Sequence, residues 1–307
     1  MLGHLAPSGV LIIDKPSGLT SHDVVARVRK ALATRAVGHA GTLDPAATGV
    51  LVVLVGEATK LAPYLTQQDK TYDATVTFGT STTTLDAEGD VVARAPLPDE
   101  LVREPRAAIE RALAIERERT EQIPPAFSAI KLAGRPAYER ARRGEEVPLV
   151  ARSVRIVDAR VVAMAKETVT LSLRVSKGYY VRSFARDLGA TLGVPSHLSV
   201  LRRVASGLFT LAEALPLSSS GEELLGALLP VEDAARRVLA AAELSAEGAF
   251  RAVRGQPLVA EHFTVAPPAG SSAWFNRAGE LVAVGRATEQ GFAVERGFAH
   301  STSNDAT

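Results

Sequence analysis

From Gly38 to Val55 the chain runs through a loop bounded by glycine and proline, Gly38-His39-Ala40-Gly41-Thr42-Leu43-Asp44-Pro45-Ala46-Ala47-Thr48-Gly49, straight into six apolar residues, Val50 to Val55. The apolar run is short, β-branched and headed by glycine, which reads as a buried strand. Gly38, Gly41 and Gly49 open backbone conformations that a Cβ disfavours, and Pro45 pushes Asp44 out of the α region. Any fold that accepts this segment must therefore hold one carboxylate, extended at a bend, where a buried strand begins. The local physics supports two readings equally. Asp44 caps a turn, as Asp before Pro often does. Alternatively it is held for chemistry, and then a cation or hydrogen-bond donors must offset the cost of burying its charge.

Around that segment the pattern alternates between strands and helices. Val10 to Asp14 is a strand, and Thr20 with Asp23 opens a helix to about Leu32 whose inner face is Val24, Val25, Val28 and Leu32. A short helix is expected near Thr59 to Leu65, and Thr71 to Phe78 alternates as a half-buried strand. Asp86 to Asp90 is a turn, Pro98 to Ile115 reads as one helix, and Pro124-Pro125 breaks the chain. Beyond it come a short basic helix, Tyr138 to Gly144, a hairpin of Val154 to Met164 with Thr168 to Ser176, a helix from Arg182 to Leu192 and a strand from Leu198 to Val204. This order argues for α+β with a mixed, largely antiparallel sheet. Leu217 to Gly226 reads as a connection, and Leu229-Pro230-Val231-Glu232-Asp233 introduces a helix. From about Leu244 onward, Gly248 to Gln256, Ala273 to Asn276, Glu280 to Arg286 and Gly291 to Val294 read as short strands separated by turns.

Absences narrow the chemistry. The 307 residues contain no cysteine, so neither a disulfide framework nor a thiolate metal site is available, and the six histidines are scattered without ligand spacing. Nothing points to a cofactor. No apolar run approaches the roughly 18 residues that cross a bilayer, and no leader pattern opens the chain, so the expectation is a soluble cytoplasmic protein. A net charge of +1 is uninformative, but its distribution is not: residues 1–215 carry 28 Lys and Arg against 23 acids, whereas residues 216–307 carry 7 against 11. The basic excess lies in the part of the chain that holds Asp44.

The segment His39-Ala40-Gly41-Thr42-Leu43-Asp44-Pro45-Ala46-Ala47-Thr48-Gly49 resembles the signature of the TruB-type pseudouridine synthases, whose aspartate is the nucleophile that isomerises a uridine in RNA. Further stretches match the same family in the same order. They are Gly9 to Gly18, Gly56 to Lys60, Asp69-Lys70-Thr71-Tyr72, Ile123 to Lys131, Ser176 to Arg182 and Leu201-Arg202-Arg203, together spanning roughly residues 9 to 210. The resemblance implies a catalytic domain over residues 1–240 with a central cleft, a PUA-like small β-barrel over 244–300 and a disordered tail at 301–307. It implies conversion of uridine 55 in the tRNA T loop, by base flipping, without cofactor or guide RNA.

By the same resemblance the catalytic set is Asp44, Tyr72 and Arg182. Arg182 then supplies the cation that a catalytic Asp44 requires, since a guanidinium stays charged and grips a carboxylate through two donors. The plain alternative makes it one of 28 arginines on a solvated face. Tyr72 is placed against the target base, where stacking tolerates a ring that turns; otherwise it is core packing. Tyr180 and Leu201 match pocket walls. His39 matches a residue that enters the RNA loop and fills the space left by the flipped nucleotide, acting as neither acid nor base. Whether Asp44 attacks C6, attacks C1′ or assists proton removal from the ribose stays open.

Residues 124–160 hold Lys131, Arg135, Arg140, Arg142, Arg143, Arg152, Arg155 and Arg160 against four acids. The part from about 124 to 152 resembles the family's RNA-gripping insertion, with Lys131, Arg142 and Arg143 as phosphate contacts; a solvated basic surface is the duller reading. Lys60 is grouped with the RNA contacts, while Lys15, Lys60 and Lys177 fit an RNA role or a fold role alike. Thr83 departs from the pattern, standing where the family often carries an acid before Asp86, and the acid excess of the C-terminal part departs from an RNA-holding role. Two rivals remain. A guide-RNA-dependent relative carries a near-identical Asp motif, although Ile123 to Gly144 looks more like the stand-alone bacterial type. The other is a protein that chiefly helps RNA fold. The reading adopted is a monomer acting on the tRNA T stem-loop, with no obligate protein partner and no membrane.

Overall fold

The six apolar residues after Gly49 belong to an eight-residue strand that is buried on both faces. A computed structural model of the chain describes residues 7–127, 131–132, 135–136 and 149–299. Strand β1 (Gly9–Lys15) pairs antiparallel with β3 (Thr48–Val55) in continuous register from Gly9 opposite Val55 to Lys15 opposite Gly49. Between them lie helix α1 (Ser21–Ala31) and β2 (Val37–His39), which adds to β3. The capping box that opens α1 is reciprocal: Asp23 N donates to Thr20 Oγ1 at 3.1 Å and Thr20 N donates to Asp23 Oδ2 at 2.8 Å.

The main sheet is completed by β4 (Lys70–Phe78), β5 (Ile156–Met164), β6 (Thr168–Val175), β7 (Ser196–Ser206) and β8 (Leu215–Pro216). Its nine strands run β5-β6-β4-β7-β3-β1-β8, with β2 on β3 and Phe209–Thr210 on β7. Only β7 with β3 and β1 with β8 are parallel; the remaining pairs are antiparallel, as alternation and turn spacing predict. Helices α2 (Pro105–Arg117) and α3 (Val181–Thr191) cover one face of β4, β5 and β6, where Val76, Leu113, Leu171, Phe184 and Leu188 share one apolar cluster.

Three elements differ from the sequence reading. The helix expected over Pro98 to Ile115 breaks at Glu104, leaving Asp99–Arg103 and α2. Pro105 is the cause, because its ring disfavours the α conformation of the preceding residue while its fixed φ suits a first helical position. The connection at 217–226 contains helix α4 (Gly221–Gly226), opened by a capping box of Ser220 and Glu223. Downstream, Gly248 to Val253 is helical rather than extended: after α5 (Val231–Val238) and β9 (Ala240–Leu244) comes α6 (Ala246–Val253). Ser245 Oγ accepts from Gly248 N at 3.1 Å to start α6, and Gly248 is there because a Cβ would sit 2.0 Å from His262 O.

The C-terminal strands β10 (Phe263–Val265), β11 (Ser271–Phe275), β12 (Leu281–Thr288) and β13 (Gly291–Gly297) join β9 in the order β10-β9-β11-β12-β13. Among the described residues no pairing joins its two edge strands, so it is an open sheet wrapped around Trp274, Phe263 and Phe292. Ala273, Phe275, Leu281, Val284 and Phe298 pack in one cluster with Val10, Val52, Leu54 and Leu61, so the two sheets share core. The expected helix at Tyr138 to Gly144 and the tail at 301–307 lie outside the described residues.

Candidate active site

The Asp44 loop is fastened by side chains from three other elements. Ser21, at the start of α1, accepts from Leu43 N at 2.9 Å and donates to Leu43 O at 3.2 Å. Lys15, fully buried at the end of β1, donates to Pro45 O at 3.0 Å, Pro16 O at 2.9 Å and Leu19 O at 2.6 Å. Burial holds its ammonium below the ordinary value, with the Asp44 charge working the other way. Arg203 of β7, also buried, donates to Val50 O at 2.6 Å, Gly41 O at 3.1 Å and Thr42 O at 3.4 Å. Gly49 makes that approach possible: its φ is +101° and a Cβ would stand 2.2 Å from Arg203 O.

Arg182, in the first turn of α3, meets Asp44 side-on. Its Nε lies 2.9 Å from Asp44 Oδ2 and its Nη2 3.2 Å from Oδ1. The same guanidinium donates to Phe127 O at 2.9 Å and Thr84 O at 3.1 Å, and its Nη1 is 3.5 Å from Asp86 Oδ2. Three N–H groups thus donate to oxygen and both neighbouring carboxylates lie within ion-pair distance, which fixes the plane in which Asp44 is presented. The Arg182 side chain is 7 % exposed and that of Asp44 40 %, so the pair has a buried anchor and an open carboxylate.

The turn that supplies Thr84 and Asp86 is itself constrained. Leu85 has φ +64°, an uncommon conformation for a branched side chain, and its carbonyl accepts from Leu198 N at 3.0 Å. Asp86 Oδ1 accepts from Thr84 Oγ1 at 2.5 Å and from Glu88 N at 3.1 Å. Thr83, where an acid was the family expectation, closes the turn by accepting from Asp90 N at 3.1 Å.

Asp44, Tyr72, Tyr180, Arg182 and Leu201 line one cavity of about 250 Å³, together with Leu43, Thr66, Lys70, Tyr179 and Arg203. Tyr72 is buried on β4 two residues after Lys70, so the two share a face of the strand. Tyr180 precedes α3 and is fixed through its backbone: its N–H donates to Gln122 Oε1 at 2.9 Å and its carbonyl accepts from Gln122 Nε2 at 3.1 Å. Gln122 is buried and replaces a strand partner at that point. Motifs drew attention to Lys70 and Arg203 without a role, and Gln122 carried no signal in the sequence. For Lys70 the period-two pattern of β4 was the available clue.

Other expected site residues stand elsewhere. His39 lies on β2, not on the cavity lining, with its ring edge-on to His22 at 5.4 Å between centroids. Its Nδ1 is buried without a hydrogen-bond partner, and burial, helped by the charges of His22 and Arg203, pushes the imidazole down to about 4. Lys60 also lies off the cavity: it pairs with Glu57 at 2.6 Å and donates to Gly297 O at 2.8 Å, tying β13 to the main sheet. Lys177 donates to Gln67 Oε1. Lys131 belongs to a two-residue strand, Lys131–Leu132, while Arg142 and Arg143 lie outside the described residues. Among the described residues no cluster of His, Cys, Asp and Glu could hold a metal, and no helix is long and apolar enough to cross a membrane.

Residues 29–181 match the TruB family pseudouridylate synthase N-terminal domain. The tRNA pseudouridine synthase B of Mycobacterium sp. (strain KMS) is 48 % identical over 230 residues, covering 73 % of this chain and 75 % of the relative. That of Arthrobacter sp. (strain FB24) is 42 % identical over 287 residues, covering 90 % and 92 %. Among solved structures, a chain of a Cbf5-Nop10-Gar1 complex superposes with a TM-score of 0.73 at 25 % identity, over 94 % of this chain and 83 % of that one.

Proposed function

Because the chain belongs to the TruB family of pseudouridylate synthases, we propose that it converts uridine 55 in the tRNA T loop to pseudouridine, acting alone and without cofactor. The observation that carries this reading is the two-donor grip of Arg182 on a half-open Asp44 at a cavity sized for one nucleoside. Its curated relatives at 42–48 % identity bear the name tRNA pseudouridine synthase B, whereas the likeness to Cbf5 is one of fold. That contrast favours a stand-alone enzyme over a guide-dependent one.

Each residue then has a physical task. The target uridine leaves the stack and enters the cavity, where Tyr72 offers a ring face to the base and Tyr180 and Leu201 enclose it. Arg182 aims Asp44 at the nucleoside. The C1′–N1 bond breaks, the detached base turns against Tyr72, and C5 bonds to C1′ before the C5 proton leaves and N1 gains one. Enclosure by apolar walls protects the intermediate from water. His39 fills the gap in the RNA loop, a role that suits a ring neutral at ordinary pH. Lys131, Arg142 and Arg143 neutralise phosphates, and the C-terminal sheet is a PUA-like unit following a catalytic domain of residues 1–240. The setting is the cytoplasm and the working form a monomer.

The decisive experiment is incubation of purified protein with unmodified tRNA transcript, mapping pseudouridine at single-nucleotide resolution for wild type and Asp44→Asn. Wild type is expected to modify position 55. Asp44→Asn is expected to lose about 10⁴-fold or more in turnover while binding tRNA within a few-fold, because binding is spread over phosphate contacts. Equal losses of binding and turnover would reject Asp44 as the nucleophile.

A further inference from the structure

The cavity is lined by three cationic side chains with different amounts of donor capacity left. Arg182 is committed to Asp44, Thr84 O and Phe127 O by hydrogen bonds and pairs with Asp86 at 3.5 Å. Arg203 is almost wholly buried, 1 % exposed, and places three of its five N–H groups on the carbonyls of Gly41, Thr42 and Val50, which anchor it in the floor of the Asp44 loop. Lys70 is held by Thr66 O at 2.7 Å and Gln68 O at 2.5 Å, which leaves the third N–H of its ammonium uncommitted. It is on the lining, 7 % exposed, and on the same face of β4 as Tyr72, about 7 Å along the strand.

We propose that Lys70 is a catalytic residue: its free N–H meets a carbonyl oxygen of the target uracil and holds the negative charge the base carries while detached from the ribose. The proposal rests on the synthase reading. Heterolysis of C1′–N1 leaves the bonding pair on the uracil, delocalised onto its carbonyl oxygens. Lys70 keeps its proton throughout and contributes a charge-assisted hydrogen bond in a site screened from water, where such a bond is strong. The pair returns when C5 bonds to C1′, the C5 proton departs and N1 takes one up, so the isomerisation balances with no other reactant. Burial and the nearby Arg203 charge push the Lys70 ammonium down to about 8, with Asp69 opposing and Lys177 adding to the fall. Asp44 and Arg182 are the remaining charged groups around the cavity. Lys70 is therefore charged at neutral pH and loses its charge just above it.

The test compares single-turnover rates on T stem-loop RNA carrying uridine or 5-fluorouridine at the target, whose base is the more stable anion. Lys70→Met is expected to slow loss of uridine about 100-fold and loss of 5-fluorouridine about tenfold less, with RNA binding within threefold. A residue that merely secures the Thr66 and Gln68 carbonyls would slow both substrates equally and lower the melting temperature, and that result overturns the proposal, as does an unchanged rate. Lys70→Arg gives a second reading that does not depend on the Met variant folding. The wild-type rate should fall between pH 7 and 9, while the Arg variant, charged throughout, should not fall; parallel profiles reject the idea. Wild-type protein that converts no uridine removes the synthase reading itself, and is seen before any variant is made.

Discussion

At the scale of single residues, the site is organised by where charges are committed. Arg182→Lys keeps the charge but cannot reproduce the side-on contact with Asp44 while also reaching Thr84 O and Phe127 O. Single-turnover assays should show a loss of about 100-fold with tRNA affinity changed by less than threefold. His39 gives a prediction of a different kind. Its folded-state imidazole sits at about 4, below the ordinary 6.5, so the unfolded chain binds the extra proton between those values. Its contribution to stability is complete above about pH 6.5 and is lost as pH falls toward 4. Urea midpoints measured at pH 7 and pH 5 should therefore differ less for His39→Phe than for wild type, once the shared acid sensitivity is subtracted. Asp44, Tyr72, Tyr180, Arg182 and Leu201 could be picked from sequence because each sits within a recognisable contiguous motif. Lys15 and Arg203 lie in such motifs too, but they reach Pro45 O and the carbonyls of Gly41, Thr42 and Val50, contacts between segments distant in sequence that no local pattern encodes.

At the scale of elements, legibility followed periodicity. β4, the β5–β6 hairpin and α1 carry clean alternation or a reciprocal cap, and the structure forms them within two residues of the expected bounds. α6 differs from the strand expectation because its one glycine, Gly248, and its neighbouring Phe250 and Val253 look strand-like, while its determinants are the Ser245 cap and the Glu247–Arg251 pair at 2.7 Å. Glu121–Gln122 is only a two-residue strand paired with Arg152–Ser153, yet it positions the entry to α3 through one side chain. Gln122→Leu conserves volume but removes the acceptor that Gln122 offers to Tyr180 N–H and one of the two donors to the Tyr180 carbonyl, which keeps Phe184 N at 3.0 Å. It should cost about 1–3 kcal/mol of stability by chemical denaturation, with a slower single-turnover rate because Tyr180 and Arg182 begin from that point.

At the scale of the whole molecule, the C-terminal sheet is part of the main core. Phe275, Leu281 and Phe298 pack with Val10, Val52 and Leu54, and Lys60 and Tyr64 reach across to Gly297 O and Glu295 at 2.8 Å and 3.0 Å. A chain ending at residue 239 loses those three large side chains, worth about 5 kcal/mol. Thermal melts followed by circular dichroism should show it markedly less stable than the full chain, before any effect on RNA is considered. The order of the main sheet has a further consequence for how the protein is made. β7 lies between β4 and β3, both of which leave the ribosome long before it, so the two halves of the sheet cannot join until residue 206 has been synthesised. Arg182 and Arg203 also arrive late, whereas Asp44 emerges early. A nascent chain therefore carries its carboxylate without the cations that aim it. On the proposed mechanism it gains activity only once β7 has joined the two halves of the sheet.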